Sequence, residues 1–124
     1  MQTFTKTERL SSKLLIDKLV EKGRSFNNSP FKFVWIELEE SATPVQFLIS
    51  VPKRNFKKAV DRNKLKRRSR EAYRKNKADL LIRQLGGKKI CLMLVYIAKE
   101  KLEYVEIEQK IKEGLQRLVK TINS

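Results

Sequence analysis

The chain has 124 residues, with 29 Lys plus Arg against 14 Asp plus Glu and no His, for a formal net charge of +15 at pH 7. At 40% hydrophobic content it is expected to bury one core, as a single domain over residues 1–124. The lack of His excludes imidazole chemistry, and a single Cys excludes an internal disulfide and a cysteine zinc cage. The composition thus speaks of a polyanionic partner, nucleic acid ahead of an anionic membrane.

Taken in chain order, the first element is a helix. Ser11 or Ser12 can cap it, Leu15, Ile16, Leu19 and Val20 follow helical spacing, and Gly23 stops it. Phe31, Phe33 and Trp35 alternate with Lys32, Val34 and Ile36, which predicts a strand. A turn over 39–44 and a second strand over 45–51 complete an expected hairpin, ended by Pro52. From about Phe56 the pattern turns helical and continues to about Leu85, where Gly86 and Gly87 stop it. Ile90 to Ala98 is apolar on both faces and predicts a buried strand. Ile107, Ile111, Leu115, Leu118 and Ile122 then mark an amphipathic closing helix.

The same pass addresses location. The uncharged run from Ile90 to Ala98 is too short to span a bilayer, and Lys6, Glu8, Arg9 and Lys13 interrupt any signal-peptide core, so a cytoplasmic protein is expected.

The charge is concentrated. Lys53 to Lys77 holds thirteen basic residues and two acids, a net +11, whereas the other 99 residues carry only +4. At about 100° per residue, with Arg62 at 0°, Lys66, Arg70, Asn63, Arg74 and Arg67 fall between about 40° and 140°. Leu65, Ala72 and Ser69 form a narrower stripe, at about 280° to 340°, that can pack on a sheet. Tyr73, at about 20°, sits at the edge of the cationic arc. A solvated charge run is the ordinary meaning of such a face. Against it, like charges stack at 62, 66, 70 and 74, each pair mildly destabilising.

A cationic helix alone does not choose between duplex DNA and folded RNA. Neither zipper heptads nor a helix-turn-helix unit is present, and the aromatic RNA recognition signature and the KH clamp are missing as well. The residues go further. The run Ala59-Val60-Asp61-Arg62-Asn63-Lys64-Leu65-Lys66-Arg67-Arg68-Ser69-Arg70-Glu71 resembles the signature of the bacterial ribonuclease P protein subunit, with Arg9-Leu10 ahead of the first helix and Val51-Pro52-Lys53-Arg54 closing a strand. The resemblance covers the chain from about Glu8 to Leu118.

That resemblance implies an α+β fold, an α/β sandwich of the ribosomal protein S5 domain 2-like type. About four strands form a mixed sheet packed on helices, and the long basic helix makes a left-handed crossover, against the usual hand. It also implies a function, the binding of a catalytic RNA and of the 5′ leader of precursor tRNA. The RNA, with Mg²⁺ bound mainly by itself, removes the leader. The implied partners are ribonuclease P RNA in a 1:1 unit and precursor tRNA, with no membrane and no obligate protein partner. No catalytic and no metal-ligating residue is expected in the chain. Its acids are scattered, with Glu37, Glu39 and Glu40 about one turn and Glu100, Glu103, Glu106 and Glu108 flanking the last helix.

Carried over position by position, the resemblance assigns Arg62, Asn63, Lys64, Lys66, Arg67 and Arg70 to the catalytic RNA. Arg suits phosphate because its planar fork donates two hydrogen bonds, and Lys adds a mobile charge. Asn63 has a lesser alternative as a helix-surface residue bonding a nearby carbonyl, and Asp61 could orient Arg62 or simply relieve local repulsion. Lys53 and Arg54 are expected near the leader or a metal-bridged phosphate, and Ile16, Val20 and Phe31 along the leader groove. The family normally offers aromatics where this chain has Ile16 and Val20, so van der Waals contact replaces base stacking there. Phe33 reads as core, Phe26 as either groove or core, Arg68 as snorkelling outward and Cys91 as an inert core thiol. The rival readings are a structural RNA-binding protein of ribosomal type without processing activity and, weaker, a membrane-surface helix.

Overall fold

The computed structural model describes residues 6–41 and 43–124, and side chains from residue 13 onward. In chain order it contains α1 (Lys6–Lys22), β1 (Arg24–Asn28), β2 (Phe31–Leu38), β3 (Val45–Ser50), α2 (Ala59–Leu80), β4 (Lys89–Tyr96) and α3 (Tyr104–Asn123). The strands form one mixed sheet in the order β1-β2-β4-β3. β1 and β2 pair antiparallel, as do β2 and β4, whereas β3 and β4 run parallel and are joined through α2. Among the described residues no helix is long and apolar enough to cross a membrane.

β4 organises the rest. Ile90, Leu92, Leu94 and Tyr96 on one face, and Cys91 on the other, are fully buried. A strand that needs cover on both faces takes a central place. The expected hairpin of β2 with β3 therefore does not form, because β4 lies between them and pairs with both. β2 finds its other neighbour in β1, which gave no strand signal because Phe26 is its one apolar residue.

One face of the sheet packs on α2 and α3. Phe31, Phe33, Trp35, Leu92, Leu94 and Tyr96 meet Leu65, Ala72 and Tyr73 from α2 and Ile107, Ile111, Leu115 and Leu118 from α3. The other face is covered less fully. Leu19 of α1 packs on Val34 and Cys91, with Leu15, Ile36, Leu38, Leu48 and Met93 around them.

Two helix limits differ from the sequence reading. α1 begins at Lys6, so Ser11 and Ser12 lie inside the helix and do not cap it; Lys6, Glu8, Arg9 and Leu10 are all good helix formers that extend it backward. α2 ends at Leu80, and a separate 3₁₀ turn covers Ile82–Leu85. Continued regularly, the helix would carry Leu81 and Leu85 to about 100° and 140°, on the cationic side. The break after Leu80 turns both into the core, where they are 0% and 2% exposed. Gly86 and Gly87 follow at φ of 61° and 89°, the left-handed region that glycine enters without strain.

Candidate nucleic-acid interface

The orientation of α2 follows from its buried residues. Leu65, Ser69, Ala72 and Tyr73 are the ones that seat it, and they span about 280° to 20°. Tyr73 therefore belongs to the core and not to the cationic edge. Its ring stacks on Phe47 with centroids 3.8 Å apart and planes 3° from parallel, and burial pushes its hydroxyl pKa upward. Ser69, buried among apolar side chains, donates its hydroxyl to the Leu65 carbonyl at 2.8 Å.

The arc away from the sheet carries Asn63, Lys64, Arg67 and Arg70 exposed, with Lys66 half-buried at its margin. None of Lys64, Lys66, Arg67 and Arg70 has a carboxylate partner among the described residues. Arg74 shares this arc but is engaged, donating from Nε to Glu71 Oε1 at 3.0 Å and from Nη2 to Oε2 at 2.7 Å. That double hydrogen bond holds the Glu71 carboxyl below the usual carboxylate range.

Two other arginines of this run, Arg62 of the motif and Arg68 at a spacer position, are held by carbonyl groups. Arg62, at 0°, falls inside the seated arc. Its Nη1 donates to the carbonyls of Phe56 at 2.7 Å and Lys57 at 2.9 Å. Asp61 does not orient it; that carboxylate receives Lys101 Nζ at 3.3 Å. Arg68 does not snorkel into solvent. Its Nη1 donates to the Leu102 carbonyl at 2.6 Å, with Nη2 3.7 Å from Glu103, so it ties α2 to the segment ahead of α3.

A second surface lies on the sheet face that α1 only partly covers. Strand register places Lys32, Val95 and Ser50 in one row across it, and Val34, Met93 and Leu48 in the next. β3 ends at the first of these rows. The chain then turns through Pro52 to Asn55, whose amide bonds the Pro52 carbonyl at 3.2 Å, leaving Lys53 and Arg54 exposed at that end. On α1, Leu15 and Leu19 dock, while Ile16 and Val20, one position further round, are 38% and 77% exposed. The sequence reading missed Met93, Val95 and Leu48 as surface residues, since an unbroken apolar run carries no mark of which face is left uncovered.

Phe31 is a correction. It is fully buried, edge-on to Phe33 and to Tyr96, on the sheet face that carries α2 and α3. It has no surface to offer a ligand. Phe33 is core as expected, and Phe26 closes the core, stacked on Phe33 at 5.1 Å with the Arg117 guanidinium 4.3 Å above its ring. Cys91 lies under α1, and burial pushes its thiol pKa up to about 11.

Comparison with known proteins bears on what these surfaces serve. The family model for ribonuclease P matches residues 4–119. A ribonuclease P protein component from Porphyromonas gingivalis is 31% identical over 124 residues, covering 98% of this chain and 90% of its own. One from Chlorobium phaeobacteroides is 34% identical over 84 residues, covering 64% of this chain and 58% of its own. The solved RNase P protein of Staphylococcus aureus superposes with a TM-score of 0.63 at 27% identity, covering 85% of this chain and 88% of its own. That of Thermotoga maritima, in complex with 1-(4-fluorophenyl)-2-thiourea, superposes at 0.66 with 24% identity, covering 88% and 94%. The matched residues take in the cationic helix, the whole sheet and most of α3, and the chain belongs to the ribonuclease P protein family.

Proposed function

We propose that this chain docks on ribonuclease P RNA, in a 1:1 unit, through the outward arc of α2, and holds the 5′ leader of precursor tRNA along the face of the sheet beside α1. The observation that carries the reading is the set Asn63, Lys64, Lys66, Arg67 and Arg70, displayed together on a seated helix with no carboxylate among the described residues to neutralise its four cations. Arginine forks and lysine ammonium groups at that spacing match a run of phosphates. The strip of Lys32, Val95, Ser50, Met93 and Leu48, with Ile16 and Val20 beside it and Lys53 and Arg54 at its end, offers a single strand apolar contact and charge. It does not offer aromatic stacking.

In this reading phosphodiester hydrolysis belongs to the RNA, which holds the Mg²⁺. Among the described residues no three Cys, Asp or Glu side chains gather into a metal site. The protein orients and neutralises. A structural RNA-binding protein of ribosomal type would use the same helix, and the two differ in whether a reaction responds.

Reconstitution with a bacterial ribonuclease P RNA tests this. The chain should raise cleavage of precursor tRNA at low Mg²⁺ and do little for a substrate without its leader; absence of stimulation refutes the processing role. With four unpaired motif cations on phosphates, the log-log dependence of RNA affinity on salt should have a slope of about −3. Arg67→Ala with Arg70→Ala should flatten it by about 1.5. A slope unmoved by the double substitution removes α2 as the docking surface.

A further inference from the structure

We infer that Arg62 is a positioning residue, which ties the Lys53 and Arg54 segment to the first turn of α2 and so sets the spacing between the two cationic surfaces. The inference deepens the reading above and rests on it. Between β3 and α2 the chain is anchored at Val51 and Phe56, 5% and 7% exposed, with Lys53 and Arg54 exposed between them. Phe56 sets its ring edge-on to Tyr96 at 5.8 Å, so its carbonyl has a defined place. The first turn of α2 has no side-chain cap at Lys58. Among the described residues, the side-chain hydrogen bonds that join this segment to α2 both come from Arg62 Nη1, to the Phe56 and Lys57 carbonyls.

The geometry separates Arg62 from its neighbours in the motif. Asn63, Lys64, Arg67 and Arg70 point into solvent, whereas Arg62 lies between the helical columns of Ser69 and Tyr73, both buried. A hydrogen bond from a charged donor to a carbonyl is among the stronger kinds, and here one nitrogen makes two. A side chain so held aligns a loop; reaching a phosphate from the outward arc would mean leaving both carbonyls. The cations it aligns, Lys53 and Arg54, stand at the end of the sheet strip proposed for the leader.

The test uses the full chain reconstituted with ribonuclease P RNA, and Arg62→Met, which keeps the stem and removes the donors. The expected result is an RNA-affinity salt slope equal to that of the unaltered protein, with affinity for leader-bearing precursor tRNA reduced about threefold to tenfold and leaderless substrate unchanged. Adding Lys53→Ala should cost clearly less in the Arg62→Met background than it costs alone, because Lys53 is already misaligned there. A slope flatter by about 0.7 to 0.9 means that Arg62 holds a phosphate, and overturns the inference. If Arg62→Met does not fold, Arg62→Lys decides. It keeps the charge but is too short to hold both carbonyls, so leader discrimination should fall, and discrimination equal to that of the unaltered protein overturns the proposal. Failure of the unaltered chain to stimulate cleavage at all refutes the broader reading, and is distinguished by appearing before any substitution is made.

Discussion

Gly114→Ala tests how α3 is held against the sheet. Gly114 is buried in α3, and a Cβ built on it would fall inside contact distance of Phe33 Cζ, with Cε1 at 2.5 Å and Cε2 at 2.6 Å. Carbon atoms rest about 3.5 to 4.0 Å apart, so the ring or the helix must move by roughly 1.5 Å or more. The ring is not free to do so. Phe33 is fully buried, stacked on Phe26 at 5.1 Å and edge-on to Phe31 at 6.3 Å. Overpacking of this kind costs about 1 to 3 kcal/mol, and three close contacts on a confined ring place it at the upper end. Alanine returns about 0.8 to 1.0 kcal/mol in helix propensity. The net expectation is a loss of about 2 kcal/mol, or roughly 6 to 10 °C in Tm for a chain of this size. Thermal and urea melts followed by circular dichroism measure it. In a double-mutant cycle, Phe33→Leu should cost at least about 1 kcal/mol less in the Gly114→Ala background than in the unaltered chain. Equal or greater stability of Gly114→Ala would refute the close approach of α3 to β2.

Two further outcomes follow from the electrostatics. Glu71→Gln releases Arg74 to phosphate, so affinity for ribonuclease P RNA should rise severalfold and the salt slope steepen by about 0.7 to 0.9; a titration at several salt concentrations checks it, and weaker binding would show that Glu71 helps to dock. Because Arg74 holds the Glu71 carboxyl below the usual range, acidification from pH 8 to pH 5 should not mimic the substitution. The Cys91 thiol, raised to about 11 from 9.0, carries about a hundredfold less thiolate at pH 8 than an exposed cysteine, and alkylation of the native chain should be at least that much slower than in denaturant. The sign for stability is also set: the unfolded thiol ionises first, so Cys91 contributes destabilisation between about pH 9 and 11 and none below.

The elements with one clean period were legible in the sequence. α3 has its five apolar residues buried at the spacings read, and the apolar run read over 90–98 forms β4 as far as Tyr96, with Met93 and Val95 half-buried and Ile97 exposed beyond it. The pairing was not legible, because whether 31–38 meets 45–50 depends on which strand needs two covered faces, a comparison among strands that no single run contains. β1 escaped for a related reason. Its place comes from Phe26 stacking on Phe33 and from Arg117 donating to the Asn27 carbonyl at 3.1 Å, contacts to residues distant in sequence. At the site, the arc of α2 was drawn from residue types. Leu65, Ala72 and Ser69 fix the centre of the buried stripe well but not its width, and a stripe wider by one column takes in Tyr73 and Arg62. Phe31 was misplaced against its own period: it shares the strand face of Phe33, read as core, and the structure puts both against the helices.

The seating of α2 also decides what kind of cationic surface it is. Like charges at 62, 66, 70 and 74 make three i,i+4 repulsions worth about 0.2 to 0.5 kcal/mol each, in a helix with only four buried residues. Against that, burying Leu65 and Tyr73 contributes about 1.5 to 3 kcal/mol apiece. The Arg68 bond to Leu102 and the Asn76 bond to Glu108 at 3.1 Å add directional ties to the segment ahead of α3 and to α3 itself. Packing therefore exceeds repulsion, and the cationic arc is formed before any polyanion arrives. A basic tail with the same charge would have to order its backbone on binding, at about 1 to 2 kcal/mol per residue. The folded helix has met that cost already, so any phosphate contacts it makes go into affinity and into a fixed register, as the proposed docking on RNA requires.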